Sequence, residues 1–163
     1  MMGGVRRAWL PILLTLVMGA ALVLRRDEGG DAPATGSAAR VVRVVDGDTI
    51  VVGDERVRLI GVDTPESVKP GTPVECFARE ASAFVKKLLT GRNVRLELDV
   101  EKRDRYGRLL AYVYRDDLFV NAELVRRGYA SVATFPPNVR HVDEFVRLQR
   151  EARGASRGLW RAC

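Results

Sequence analysis

The chain has 163 residues, 47% hydrophobic and 29% charged, with a formal net charge of +6. That is about one domain's worth of chain, and the balance excludes both a wholly disordered protein and a multi-span membrane protein. Of the 27 basic and 21 acidic residues, four and three lie in residues 1–39, so residues 40–163 keep 23 and 18 and carry most of the basic excess.

Residues 1–24 read as an export segment. Arg6 and Arg7 precede an apolar run of 17 residues from Ala8 to Leu24, a positive flank followed by a membrane-inserting stretch. Gly19-Ala20-Ala21 offers a small-residue cleavage site, while Leu22-Val23-Leu24 and then Arg25-Arg26 suit an uncleaved anchor. Either way the remainder is expected outside the cytoplasm, secreted or periplasmic, or tethered to the membrane. Residues 25–39, rich in Gly, Ala, Pro, Ser and acids, read as a flexible linker. The domain is expected over residues 40–163.

Within that domain, Val41 to Val45 is β-branched and reads as a strand. Asp46-Gly47-Asp48 follows as a turn, Thr49 to Val52 resumes the strand, and Gly53-Asp54 turns again. Arg56 to Val62 predicts a third strand, with Arg56 and Arg58 opposite Val57 and Leu59. Thr64 to Glu75, with Pro65, Pro70, Gly71 and Pro73, is a long irregular loop, of the kind that carries function. Phe77, Ala81, Phe84, Val85 and Leu88 share one face of a helix that ends at Gly91. Val94 to Val100 alternates as a strand, and Leu109 to Tyr114 leads through a turn to Leu118-Phe119-Val120. Asn121 is placed to cap a helix over Ala122 to Arg127, which Gly128 stops. Val142, Phe145, Val146 and Ala152 mark a last helix ending near Gly154. The sum is a mainly β, α+β domain: a five-stranded barrel of the OB type with three packed helices.

Two cysteines, Cys76 and Cys163, fit an exported chain. Joined, they close a loop of 87 residues; the alternatives are free thiols or pairing with another chain.

Four acids gather at one rim of the expected barrel: Asp46 and Asp48 in the first turn, Asp63 and Glu66 after the third strand. Each alone has a bland reading, since Asp-Gly-Asp is a common turn and Arg-Tyr-Gly-Arg a common hairpin tip. Together they are chemically coherent. Asp48 and Asp63 offer hard oxygens to Ca²⁺ or Mg²⁺. Glu66 is a spare carboxylate able to take a proton from water. Arg58 and Arg108 carry planar forks that match phosphate oxygens. The set spells metal-assisted phosphodiester hydrolysis.

Three segments in order, Val45 to Thr49, Arg58 to Glu66 and Asp104 to Tyr112, closely resemble the staphylococcal-nuclease-like, or thermonuclease, family. The resemblance runs from about Val41 to Trp160. It implies the OB barrel with three helices and a Ca²⁺-dependent endonuclease that cleaves DNA and RNA, single strands favoured, leaving 3′-phosphate ends. By position it implies Asp48, Asp63 and the Thr64 carbonyl as calcium ligands, Glu66 as general base, and Arg58 and Arg108 as the phosphate-binding catalytic pair. Asp46 falls beside the metal site, Arg105 and Tyr106 near a terminal phosphate of the substrate, and Glu80 with His141 as a structural pair. The chain departs from the family pattern after Ala133. In place of a segment with two tyrosines it runs Thr134-Phe135-Pro136-Pro137-Asn138. Phe135 reads either as a substrate-binding stacking face or as a core aromatic. The competing function is an exported OB module that binds nucleic acid without cleaving it, which an intact set of charged residues argues against. Nothing in the sequence points to a homo-oligomer.

Overall fold

A computed structural model describes residues 38–67, 71 and 73–163; the expected export segment, 1–24, lies outside them. No helix among the described residues is long and apolar enough to cross a membrane.

The elements run in order as β1 (Ala38–Asp46), β2 (Thr49–Val52), β3 (Glu55–Leu59), β4 (Val62–Asp63), α1 (Ala78–Leu89), β5 (Asn93–Glu97), β6 (Leu109–Arg115), β7 (Leu118–Phe119), α2 (Val120–Arg126), β8 (Ser131–Val132), α3 (Val142–Gly154) and α4 (Leu159–Ala162). Strands β3, β2, β1, β5 and β6 pair successively, and β3 pairs back onto β6 in parallel, which closes a five-stranded barrel. Closure removes the open edges that a sheet of this size would otherwise expose. Strand β7 hairpins onto β6 outside the ring, and β4 pairs with β8 as a separate ribbon.

The alternation along each strand fills the barrel. Val41, Val44, Ile50, Val57, Leu59, Val94, Leu96, Leu109 and Ala111 are all buried and belong to one core cluster. Helix α3 covers this core with Phe145, which is 1% exposed and meets Tyr112 and Phe119 at ring-centroid distances of 6.5 and 5.6 Å. The barrel and the three longer helices match the expected fold; several details differ.

The expected strand over Arg56 to Val62 breaks at Ile60-Gly61. Gly61 has φ +79°, and a Cβ there would lie 2.5 Å from the Phe145 ring, so the chain turns where only glycine fits. Strand β5 stops at Glu97, which leaves Val100 70% exposed instead of facing the core. Ala38 and Ala39, expected in the linker, pair with Arg95 and Val94 of β5. Asn121 caps nothing: it lies inside α2, fully buried. Its Oδ1 accepts from the Val113 N–H at 2.9 Å and its Nδ2 donates to the Ile60 carbonyl at 2.8 Å. A polar side chain in the core is tolerated because both its ends are hydrogen-bonded, and here it ties α2 to β6 and to the turn at Gly61. Cys76 and Cys163 are joined. The bridge holds α4, which had no visible periodicity at four residues, close to the start of α1.

Candidate active site

The site lies at the rim where the β1–β2 hairpin, the β3–β4 turn and the start of the 64–75 loop meet. Strand β1 shifts register twice against β2, the second time between Val44 and Asp46. Such irregularities re-aim side chains at barrel rims. Here they precede the Asp46-Gly47-Asp48 turn. Gly47 is required by packing: a Cβ there would stand 2.7 Å from the Thr64 hydroxyl. The turn therefore lies directly against the segment that carries Asp63, Thr64 and Glu66.

Arg58 leaves β3 with its partner Val57 in the core. Its Nη1 donates to the carbonyls of Val62 at 2.7 Å and Leu59 at 3.1 Å. Its Nη2 lies 3.2 Å from Asp48 Oδ2 and 2.9 Å from Asp63 Oδ1. Asp48 is buried, whereas the Asp63 side chain is 60% exposed. Asp48 also accepts from the Thr64 N–H at 3.1 Å and the Thr49 hydroxyl at 3.0 Å. Burial against the rim pushes the Asp63 carboxyl above the usual carboxylate value; Arg58 opposes this, and the Asp48 and Glu75 carboxylates add to it.

Glu66 is half-buried in the same pocket. Its N–H donates to Glu75 Oε2 at 2.9 Å, and its carbonyl accepts from the Glu75 N–H at 3.0 Å. Asp46 accepts from the Ser67 hydroxyl at 2.6 Å and the Ser67 N–H at 3.2 Å. Asp46 thus ties Ser67 to the β1–β2 turn.

Arg108 approaches from the other side, just before β6. Asp104 Oδ2 accepts from its Nε at 2.7 Å, while Asp104 Oδ1 takes the N–H groups of Tyr106 and Arg108. Burial works against the charged form of Asp104, but the Arg108 side chain and these two N–H groups together outweigh it and hold the carboxyl below its usual value. A salt bridge through Nε fixes the guanidinium plane without using its terminal nitrogens.

These residues line a pocket of about 410 Å³ that contains Asp46, Asp48, Asp63, Glu66 and Glu75 with Arg56, Arg58 and Arg108. Five acids against three arginines leave it net negative. A second cleft of about 420 Å³ adjoins it and shares Arg58 and Arg108. Tyr106, Phe135, Leu110 and Ala133 are among its walls. Phe135 is 69% exposed and Tyr106 67%, which settles Phe135 as a rim aromatic and not a core one. Arg105 lies over the Tyr106 ring at 4.8 Å and donates to its hydroxyl at 2.7 Å. Asn138, buried, bonds both the N–H and the carbonyl of Glu101 at 2.8 Å and so joins the two sides of this cleft.

The structure therefore brings together Asp48, Asp63, Thr64, Glu66, Arg58 and Arg108 around one pocket, with Arg105, Tyr106 and Phe135 beside it. It does not form the expected Glu80–His141 pair. Glu80 is on the exposed face of α1, and His141 Nδ1 lies 3.3 Å from Glu144 Oε2. The start of α3 is held instead by Glu97 and Asp99, both paired with Arg140, because these carboxylates leave the end of β5 directly against it. Sequence reasoning also missed Arg56, Asp104 and Glu75. Asp104 carried a local signal, an acid two and four residues before Tyr106 and Arg108; Glu75 carried none. The Arg147, Arg150, Arg153 and Arg157 side chains on and after α3 are exposed. Arg147 pairs with Glu151, and Arg153 stacks on Trp160, as a solvated helix face does.

Among the described residues, no three His, Cys, Asp or Glu side chains are arranged to cage a metal ion alone. The pocket's carboxylates are hard oxygens, and two of them, Asp48 and Asp63, meet at Arg58 Nη2.

Residues 56–162 match the family model described as staphylococcal nuclease homologue. The chain is 42% identical over 159 residues to the thermonuclease of Staphylococcus intermedius, covering 91% of this chain and 95% of that one. It is 42% identical over 125 residues to the thermonuclease of Staphylococcus hyicus, 74% of each chain. It is also 40% identical over 124 residues to the SPbeta prophage-derived endonuclease YokF of Bacillus subtilis, covering 72% of this chain and 42% of that one.

Proposed function

Because the chain belongs to the staphylococcal nuclease homologue family, we propose that it is a nuclease: a Ca²⁺-dependent endonuclease that hydrolyses DNA and RNA, single strands favoured, to 3′-phosphate ends. The observation that carries this reading is the shared wall of the two cavities. Arg58 and Arg108 stand between a net-negative pocket and a cleft with exposed aromatic faces. A phosphodiester with a base attached needs that combination: forked donors for its oxygens, and a flat surface for the ring.

The donors fit a hard cation. Asp48, Asp63 and the Thr64 carbonyl would hold Ca²⁺, with substrate oxygens completing a set too small to bind tightly by itself. When bound, the ion supplies positive charge against the phosphodiester. The chain's own groups do the rest. Glu66 takes a proton from water as the water oxygen bonds to phosphorus. The bond to the 5′-oxygen breaks, that oxygen takes a proton from solvent, and the phosphate stays on the 3′ side. Arg58 and Arg108 donate to the non-bridging oxygens, where charge accumulates. Arg58 exchanges its contact with the exposed Asp63 for one to phosphate. The cysteine pair and the composition of residues 1–24 support action outside the cytoplasm.

The test is cleavage of end-labelled single-stranded DNA and RNA by the purified protein with Ca²⁺, with Mg²⁺ and with chelator. Cleavage is expected with Ca²⁺ alone, leaving 3′-phosphates. Glu66→Gln should lower turnover by roughly 10²-fold or more while nucleotide binding persists. A folded protein that binds nucleotide and cleaves nothing would overturn the reading, and a wild-type rate for Glu66→Gln would remove the base assignment.

A further inference from the structure

Three main-chain N–H groups run through the segment that carries Glu66, and each ends on a different carboxylate. Thr64 donates to Asp48, Glu66 to Glu75 and Ser67 to Asp46, while Pro65 has no N–H to place. Asp46 and Asp48 belong to the barrel rim. Glu75 does not: it lies at the far end of the loop, nine residues away from Glu66. Its own N–H returns to the Glu66 carbonyl, so this pair of hydrogen bonds closes the loop into a ring. Behind Glu75 the chain is fastened twice. The Ala78 N–H bonds the Glu75 carbonyl at 3.1 Å, and Cys76 is bridged to Cys163. The C-terminus is docked in turn, with the Leu159 N–H on the Gly128 carbonyl at 2.8 Å.

We propose that Glu75 is the positioning residue for Glu66, and that the Cys76–Cys163 bridge holds Glu75 in place. This rests on the nuclease reading above and deepens it. The active carboxylate sits on an irregular, proline-rich loop, and a displacement of about 1 Å in such a group costs on the order of 10²-fold in rate. Asp46 and Asp48 hold the segment from below; Glu75 fixes the Glu66 main chain from the solvent side. The bridge is exposed at both cysteines.

The experiment compares full-length Glu75→Ala, Glu75→Gln and Cys76→Ser/Cys163→Ser with the parent. Two readouts are taken: steady-state kinetics on single-stranded DNA and hydrogen exchange at the Glu66 amide. Glu75→Ala should lower kcat by roughly 10–100-fold with KM within about twofold, and speed exchange at Glu66 but not at Thr64. Glu75→Gln keeps a carbonyl acceptor for the Glu66 N–H and should rescue both readouts to within about threefold. The double serine variant should shift both in the same direction as Glu75→Ala. A wild-type kcat in Glu75→Ala overturns the proposal. So does a Glu75→Gln defect as deep as that of Ala, which would make the charge and not the hydrogen bond the active feature. Unchanged exchange at Glu66 without the bridge overturns the role given to the disulfide. Exchange is read independently of cleavage, so failure of the nuclease reading itself, no turnover in the parent, is distinguishable from failure of the clamp.

Discussion

Gly61 provides a test of how tightly the rim is built. Its φ of +79° already disfavours any side chain, and a Cβ would meet the Phe145 ring at 2.5 and 2.8 Å. Phe145 has nowhere to retreat, being 1% exposed against Tyr112 and Phe119. Two costs should therefore add in Gly61→Ala: about 1–2 kcal/mol for the left-handed backbone and about 1–3 kcal/mol for overpacking. Gly53 separates them, because it has φ +58° and a methyl carbon there would meet nothing within 4 Å. Gly53→Ala should lose only the backbone part. In urea, with a slope of about 1–3 kcal/mol per molar, the Gly61 midpoint should fall below the Gly53 midpoint by on the order of 1 M. Phe145→Leu combined with Gly61→Ala should recover part of the clash, making the double variant less damaged than the sum of the singles. Equal midpoints for Gly61→Ala and Gly53→Ala would refute the packing argument and leave conformational strain as the whole effect.

If Arg108 donates to phosphate as proposed, Arg108→Ala should lower the cleavage rate at least about tenfold, since a charge-assisted hydrogen bond is worth about 1.5–3 kcal/mol. Arg108→Lys should not restore it, because the Asp104-held plane is lost with the fork; a rate equal to wild type in the lysine variant would contradict the role. Reduction of Cys76–Cys163, which closes 87 residues, should lower the melting temperature, with about 4–5 kcal/mol as the upper limit from chain entropy. An unchanged melting curve under dithiothreitol would show that the bridge adds nothing to stability. Asp99, Asp104 and Glu123 all have carboxyls held below their usual values. For each, burial favours protonation but hydrogen bonds and charge from Tyr112 and Arg140, from Arg108, or from Arg126 and Arg127 outweigh it. A carboxyl whose folded-state value is depressed contributes stability that is full above its unfolded value and is lost as pH falls on through the folded one. Urea midpoints should therefore hold steady from neutral pH to about 5 and drop below about 4; a flat profile down to pH 3 would count against these contacts.

Much of this was legible because it is local. Val57 and Leu59 alternate with Arg56 and Arg58, so the strand and the outward arginine are written together. Asp48, Asp63, Glu66 and Arg108 stand in short segments whose residue types match one chemistry. What stayed hidden depends on partners far away in the chain. Gly61 reads as an ordinary strand glycine until Phe145, from α3, is known to lie against it. Asn121 looks like a cap because its true partners, Val113 and Ile60, lie on other elements. Strands β4 and β8 have two residues each, too few for any period to show. Glu75 sits among prolines and glycine in a loop without pattern, and only the closed ring reveals what its carboxylate holds.

The parallel seam between β3 and β6 has a kinetic consequence. Its pairs, Val57 with Leu109, Arg58 with Leu110 and Leu59 with Ala111, join residues about fifty positions apart, and this is the contact that turns an open sheet into a ring. Pairing so distant in sequence is slow to form, since loop-closure entropy must be spent before the contacts are gained. Arg58 is itself a seam residue, and Arg108 immediately precedes its partner strand. The two guanidinium groups are therefore brought to one wall by this seam. A barrel left open at this seam would hold every one of these residues and lack the wall on which Arg58 and Arg108 meet.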